Sequence, residues 1–198
     1  MTGLEATELV DVLAERTAPE GTGEYVLLGM PDVNGYLRGK ALRRDAFESA
    51  VEQGTVMTDL LLALDPVDAP ITDYEQFGIR SGAGDLLVRP DIDTMQELTW
   101  RPGWSICLTT PHWRDGSRCG LASREVLRDA LAAAAEIGYD VMAAVEYEVR
   151  LRDADEQPLS SGISYSLIEV GRFEEFVGRL GSALAGLGID LSAIHTEA

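Results

Sequence analysis

Tyr25–Leu42 reads YVLLGMPDVNGYLRGKAL, and this run decides the local fold. Tyr25–Met30 is a short β-type apolar stretch, and Pro31-Asp32-Val33-Asn34-Gly35 interrupts it. Asn34-Gly35 is a strong hairpin signal, because both residues tolerate a positive φ. Tyr36–Leu42 is the return strand. Residues 44–53 (RDAFESAVEQ) then follow a helical pattern, with Gly54 as the C-terminal stop. Strand, turn, strand and helix in that order open a small mixed sheet covered by a helix.

Further strands are expected at Thr58–Leu64, Asp85–Arg89 and Ser105–Thr109. Between the first two lies Asp65–Gly84, broken by Pro66, Pro70, Gly78, Gly82 and Gly84. This is a long excursion of the kind that is often functional. Upstream, residues 4–16 (LEATELVDVLAER) place Leu4, Leu9, Val10 and Leu13 on one side of an amphipathic helix.

A second unit is expected from about residue 111. Ser123 reads as the N-cap of a helix over 124–137, which Gly138 ends. Residues 139–152 read as a strand, Pro158–Gly162 as a loop, and Arg172–Leu187 as a helix stopped by Gly188. Ile189–Ala198 has the pattern of a strand still in progress, so the chain reads as interrupted. The expected division is an N-terminal helix over 1–19, a first domain over 20–110 and the start of a second over 111–198.

The net charge of −18 argues against nucleic acid as partner, since phosphate binding needs a basic surface. No stretch approaches the ~20 apolar residues of a membrane-spanning helix. The acidic N-terminus lacks the basic start of a secretory signal. No membrane partner and a cytoplasmic location are therefore expected. Cys107 and Cys119 are too few for a disulfide framework and read as reduced thiols.

The sharpest chemical pattern is Ala144–Arg152, AVEYEVRLR. On a strand, Val145, Tyr147, Val149 and Leu151 share one face, and Glu146, Glu148, Arg150 and Arg152 share the other. The two carboxylates then project in parallel, roughly 6.5–7 Å apart by the strand's rise. Each could hold one ion of a pair, and hard cations such as Mg²⁺ or Mn²⁺ favour such oxygen donors. A solvated strand face of alternating charge is the commoner origin of this pattern. His195-Thr196-Glu197 offers a second i, i+2 pair. By themselves these residues name no reaction.

Several separated segments together resemble the glutamine synthetase superfamily. Asp32-Val33-Asn34-Gly35-Tyr36-Leu37-Arg38-Gly39-Lys40 is similar to its D-x-N-G-x-x-R-G-K hairpin. Asp85 with Pro90-Asp91-Ile92-Asp93-Thr94 is similar to its D-x-x-x-x-P-D-x-x-T block, and Trp100-Arg101-Pro102-Gly103 to the W-x-P-G continuation. Ser123-Arg124 resembles the start of the catalytic domain, Glu146-Tyr147-Glu148 its E-x-E metal strand, and His195-Thr196-Glu197 its H-x-E. The order holds over about residues 20–198.

The resemblance implies an α+β chain, with a β-grasp-like N-terminal domain followed by the opening of a glutamine synthetase-type catalytic domain. It implies ATP as co-substrate, Mg²⁺ or Mn²⁺, and transfer of the γ-phosphoryl group to glutamate. Attack by ammonia or an amine on the γ-glutamyl phosphate then follows. Glu148 and Glu197 are implied as ligands of the ion near glutamate, and Glu146 of the ion that bridges ATP phosphates. Homo-oligomers of stacked rings are implied for a full-length form.

Beyond H-x-E the family continues into a Gly-Gln-x-Glu segment, a further metal-binding His and substrate-gripping arginines. The 198-residue chain is accordingly expected to be inactive alone. The family's Asp-Gly-Ser-Ser corresponds to Met57–Pro70, where Asp65 is the candidate catalytic residue but Gly-Ser-Ser is absent. That favours an amine such as a polyamine or ethanolamine over ammonia. The alternative reading is a non-catalytic short paralogue that joins a ring as an interaction or regulatory subunit.

Overall fold

The computed structural model describes residues 23–197, which form two compact units. The helix expected over 4–16 lies outside the described residues. The first unit takes the described residues up to Glu97 together with Arg101–Asp140. Its strands are β1 (Tyr25–Pro31), β2 (Leu37–Arg43), β3 (Thr55–Thr58), β4 (Asp85–Pro90), β5 (Gln96–Glu97) and β6 (Trp104–His112). Its helices are α1 (Arg44–Gln53) and α2 (Ser123–Glu136).

Along the sheet the order is β2-β1-β6-β4-β3, with β5 paired to β6. β1 and β2 are antiparallel, Tyr25 facing Arg43 and Pro31 facing Leu37. β1 and β6 lie parallel at the centre, Tyr25 facing Trp104 and Gly29 facing Leu108. The remaining pairs are antiparallel. A parallel central pair whose first strand returns through a hairpin and a helix is the β-grasp-like arrangement expected.

Alternation explains the core. β6 buries every second residue, among them Ser105, Cys107 and Thr109. These join Val26, Leu28 and Met30 of β1 and Leu86 and Val88 of β4. Phe47, fully buried on α1, closes one face of this cluster. The hairpin's glycine pair has a steric reason, since a Cβ on Gly39 would fall 1.8 Å from the Leu28 carbonyl oxygen. Only hydrogen fits between the two strands there.

Several local expectations shift. The run Thr58–Leu64 is not a strand: β3 stops at Thr58, and Asp59–Leu62 forms a 3₁₀ turn. The Thr58 hydroxyl accepts from the Leu60 amide at 3.2 Å and so caps that turn. α2 is capped at Ala122 rather than Ser123, whose hydroxyl has no hydrogen-bond partner among the described residues.

The second unit comprises Leu98–Trp100 and the described residues from Val141 on. The helix expected over Arg172–Leu187 is α4 (Glu174–Gly186), and a short helix, α3 (Leu167–Arg172), precedes it and ends at Phe173. The Ser166 hydroxyl caps α3 by accepting from the Glu169 amide at 3.2 Å. Residues 139–152 do not form the expected strand. At its start Tyr139 N–H donates to the Ala134 C=O at 3.0 Å, and at its end the Arg152–Pro158 bridge brings Leu159 N–H to Leu151 C=O at 3.0 Å and Asp153 N–H to Gln157 C=O at 2.9 Å. A strand exists only when its backbone groups are paired, and among the described residues 141–150 find no backbone partner.

Candidate functional site

In the first unit the D-x-N-G turn organises two loops at once. Gly35 has φ 83°, as the turn requires. Asp32 Oδ1 accepts from the amides of Asn34 at 2.8 Å and Tyr36 at 2.9 Å. Asp32 Oδ2 accepts from Arg38 Nε at 2.9 Å. The turn then grips the following loop: Asn34 Nδ2 donates to the Leu64 carbonyl at 2.9 Å, and Tyr36 Oη to the Pro66 carbonyl at 3.2 Å. Arg38 also pairs with Asp68, and its guanidinium lies 4.8 Å from the centre of the Tyr36 ring.

This grip positions Asp65, half-buried at the start of the held loop. Its Oδ1 accepts from Val67 N–H at 2.9 Å and Ala69 N–H at 2.8 Å. Asp65 therefore shapes its own loop as well as being the candidate catalytic carboxylate.

Burial alone would raise the Asp32 carboxyl's pKa. The Arg38 guanidinium and the Tyr36 and Asn34 amides outweigh that and hold it below the ordinary 3.8.

The Pro90–Thr94 segment is a second built turn, missed as such in the sequence. Thr94 Oγ1 donates to the Asp91 carbonyl at 2.6 Å and accepts from Leu108 N–H at 2.9 Å. Asp91 Oδ2 accepts from Arg124 Nη1 and Arg128 Nη2, both at 2.7 Å, which ties α2 to the sheet. The i, i+4 spacing of Arg124 and Arg128 on one helix face was the available signal.

In the second unit, His195 and Glu197 sit side by side, Nε2 to Oε1 at 3.2 Å, and His195 stacks on Tyr165 at 4.6 Å between ring centres. Both line an open cleft of about 380 Å³ with Arg150, Arg152, Ser160 and Phe173. Glu146 and Glu148 are exposed on the unpaired run and do not line it. Glu169, buried on α3, accepts from Ser161 N–H at 3.1 Å and Arg172 Nη1 at 2.8 Å, which anchors the 158–162 loop.

The donor chemistry of Glu146, Glu148 and Glu197 suits a hard cation. Their placement does not: among the described residues no three His, Cys, Asp or Glu side chains gather closely enough to hold an ion. In this arrangement the residues do not fit the metals that the resemblance implies. Nor is any helix among the described residues long and apolar enough to cross a membrane.

The β-grasp-like sheet and the turn motifs define the class as an α+β fold of the glutamine synthetase type. A solved glutamine synthase homolog superposes with a TM-score of 0.66 at 20% identity, covering 92% of this chain and 42% of its own. No family model matches the chain. A γ-glutamylethanolamide synthetase of Streptomyces coelicolor is 28% identical over 93% of this chain and 45% of its own length. A type-1 glutamine synthetase of Dictyostelium discoideum is 25% identical over 87% of this chain and 35% of its own. The chain thus spans less than half the length of these curated relatives. In sequence and fold it resembles the N-terminal portion of the glutamine synthetase superfamily, γ-glutamyl-amine ligases included.

Proposed function

We propose that this chain supplies the N-terminal portion of an ATP-dependent carbon–nitrogen ligase, acting on the γ-carboxyl of glutamate and on ammonia or an amine. The carrying observation is the collinear likeness to the ethanolamide synthetase over 93% of the chain. In the proposed reaction a glutamate carboxylate oxygen takes the γ-phosphoryl group from ATP, and ADP leaves. The amine nitrogen then attacks the acyl carbon, phosphate departs, and the nitrogen gives up a proton. The absence of Gly-Ser-Ser around Asp65 supports an amine rather than ammonia as acceptor.

This reading takes residues 20–110 as the β-grasp-like domain and 111–198 as the opening of the catalytic domain. It keeps Asp65 as the acceptor-side carboxylate. Glu146, Glu148 and Glu197 are kept as candidate ligands of Mg²⁺ or Mn²⁺ in a longer, cytoplasmic, ring-forming protein. Because those carboxylates do not gather here, the 198 residues by themselves are proposed to be inactive.

The test is ATP hydrolysis with glutamate, Mg²⁺ or Mn²⁺, and a panel of ammonia, ethanolamine and polyamines. It is run on the 198-residue chain and on any longer product of the same reading frame. Turnover only in the longer product, with an amine preferred, is the expected result. Turnover by the 198 residues overturns the proposed inactivity, and no ligation by either form overturns the ligase reading.

A further inference from the structure

Asn34, Tyr36 and Arg38, every second residue from the hairpin turn into β2, each meet the residue thirty positions further on. Asn34 Nδ2 donates to the Leu64 carbonyl at 2.9 Å, Tyr36 Oη donates to the Pro66 carbonyl at 3.2 Å, and Arg38 pairs with the Asp68 carboxylate. The three contacts straddle Asp65, and all lie within the first unit. We infer that Asn34, Tyr36 and Arg38 are positioning residues for the acceptor step, fixing Asp65 so that its Oδ2 receives the N–H of the incoming amine. The inference rests on the ligase reading and assigns the hairpin its part in it.

The odd-numbered residues of the loop serve Asp65 itself. Val67 and Ala69 N–H donate to Oδ1 at 2.9 and 2.8 Å, and Asp65 N–H donates to the Ala69 carbonyl at 3.0 Å. Oδ1 is thereby committed, and among the described residues Oδ2 accepts no hydrogen bond. A loop closed on its own carboxylate is held within itself but can still tilt as a unit. The hairpin removes that freedom, since two anchors grip the carbonyls on either side of Asp65 and the third grips Asp68. A catalytic group displaced by about 1 Å can lose about 10²-fold in rate.

Arg38 suits this use for a second reason. Its Nε is bonded to Asp32 and its Nη1 to Asp68, so one guanidinium lies between two carboxylates. The forked group can serve both at once, whereas a lysine ammonium is a point charge. The grip therefore carries a net negative charge and does not repel a protonated amine approaching Asp65.

Two measurements test it, both on Asn34→Ala combined with Asp68→Asn. This pair removes the first and last anchors and leaves Arg38 bonded to buried Asp32. Asp68 has φ 66°, which asparagine tolerates. In the 198-residue chain, hydrogen exchange at the Val67 and Ala69 amides should speed up about tenfold, while that of β1 stays as it was. In a longer, ligating product of the reading frame, the KM for the amine should rise about tenfold with the KM for glutamate and ATP unchanged. Loss of folded enzyme would lower kcat and move no KM. In an Asp65→Asn background the same pair should leave the amine KM within about twofold, because the carboxylate through which it acts is gone. Unchanged exchange at Val67 and Ala69 overturns the inference. So does an amine KM that stays put, or one that rises equally in the Asp65→Asn background, while the wild-type product still ligates. A wild-type longer product that ligates no amine overturns the ligase reading first, and this inference with it.

Discussion

Arg38 folds back across the hairpin turn to close on Asp32, Nε to Oδ2 at 2.9 Å, with the Asp32 side chain only 1% exposed. The pair joins two motif positions six residues apart, and the same guanidinium continues to Asp68 on the loop that begins at Asp65. The motif's aspartate and arginine thus hold the hairpin and the candidate catalytic loop as one piece.

Removing the carboxylate strands one guanidinium nitrogen and two backbone amides. Asp32→Ala should cost about 2 kcal/mol in urea unfolding. The pH dependence follows from the depressed carboxyl. Its stabilisation is fully present above the ordinary 3.8 and is lost as pH falls through the lower folded value. The stability gap between wild type and Asp32→Asn should be constant at neutral pH and shrink only below about pH 4. A gap that closes already near pH 6 would show that another group is responsible.

Glu125 makes a different kind of junction. Its side chain is 1% exposed and accepts from Arg118 Nη1 at 3.1 Å and Arg128 Nη1 at 2.7 Å. Either arginine alone still serves the buried carboxylate, so Arg118→Ala and Arg128→Ala should each be mild. Together they leave Glu125 buried without an ion partner, which should cost about 3 kcal/mol and exceed the sum of the singles. A double-mutant cycle by urea denaturation reads the excess directly; strict additivity would mean that the arginines serve Glu125 independently.

The hairpin and α1 were legible because every level agreed: alternation, Asn-Gly, a ten-residue helical pattern and a stop glycine. Thr58–Leu64 misled because its apolar run suits a strand equally well, and the 3₁₀ turn is set by distant partners such as Gly78, whose amide donates to Asp59 at 3.2 Å. The 139–152 run misled for another reason. Its residue pattern is that of a strand, but pairing is a property of the neighbours, which no local pattern contains. For the same reason the resemblance implied Glu146, Glu148 and Glu197 as metal ligands, whereas their gathering depends on strands that would hold them together.

Both thiols should be inert in the native chain. Burial pushes the Cys107 thiol up to about 11 and raises Cys119 as well. A disulfide reagent at pH 8 should find no fast-reacting cysteine, and two after guanidinium is added. Because the folded pKa is raised, stability from Cys107 is intact below the ordinary 9.0 and is lost as pH climbs from 9 toward 11. Cys107→Ala should flatten that alkaline decline, at the expense of a small cavity beside β1.

Asp65 separates a structural role from a chemical one. Its Oδ1 holds the amides of Val67 and Ala69, so Asp65→Ala should speed hydrogen exchange at both and lower stability by about 1 kcal/mol. Asp65→Asn keeps an acceptor oxygen and should leave exchange nearly unchanged. If the carboxylate also handles the proton or charge of the incoming amine, Asp65→Asn in an active, longer ligase should still cut turnover by 10²-fold or more. Exchange that is preserved with turnover lost assigns the charge to catalysis. Full turnover in Asp65→Asn would confine this residue to shaping the loop that Asp32, Asn34, Tyr36 and Arg38 hold in place.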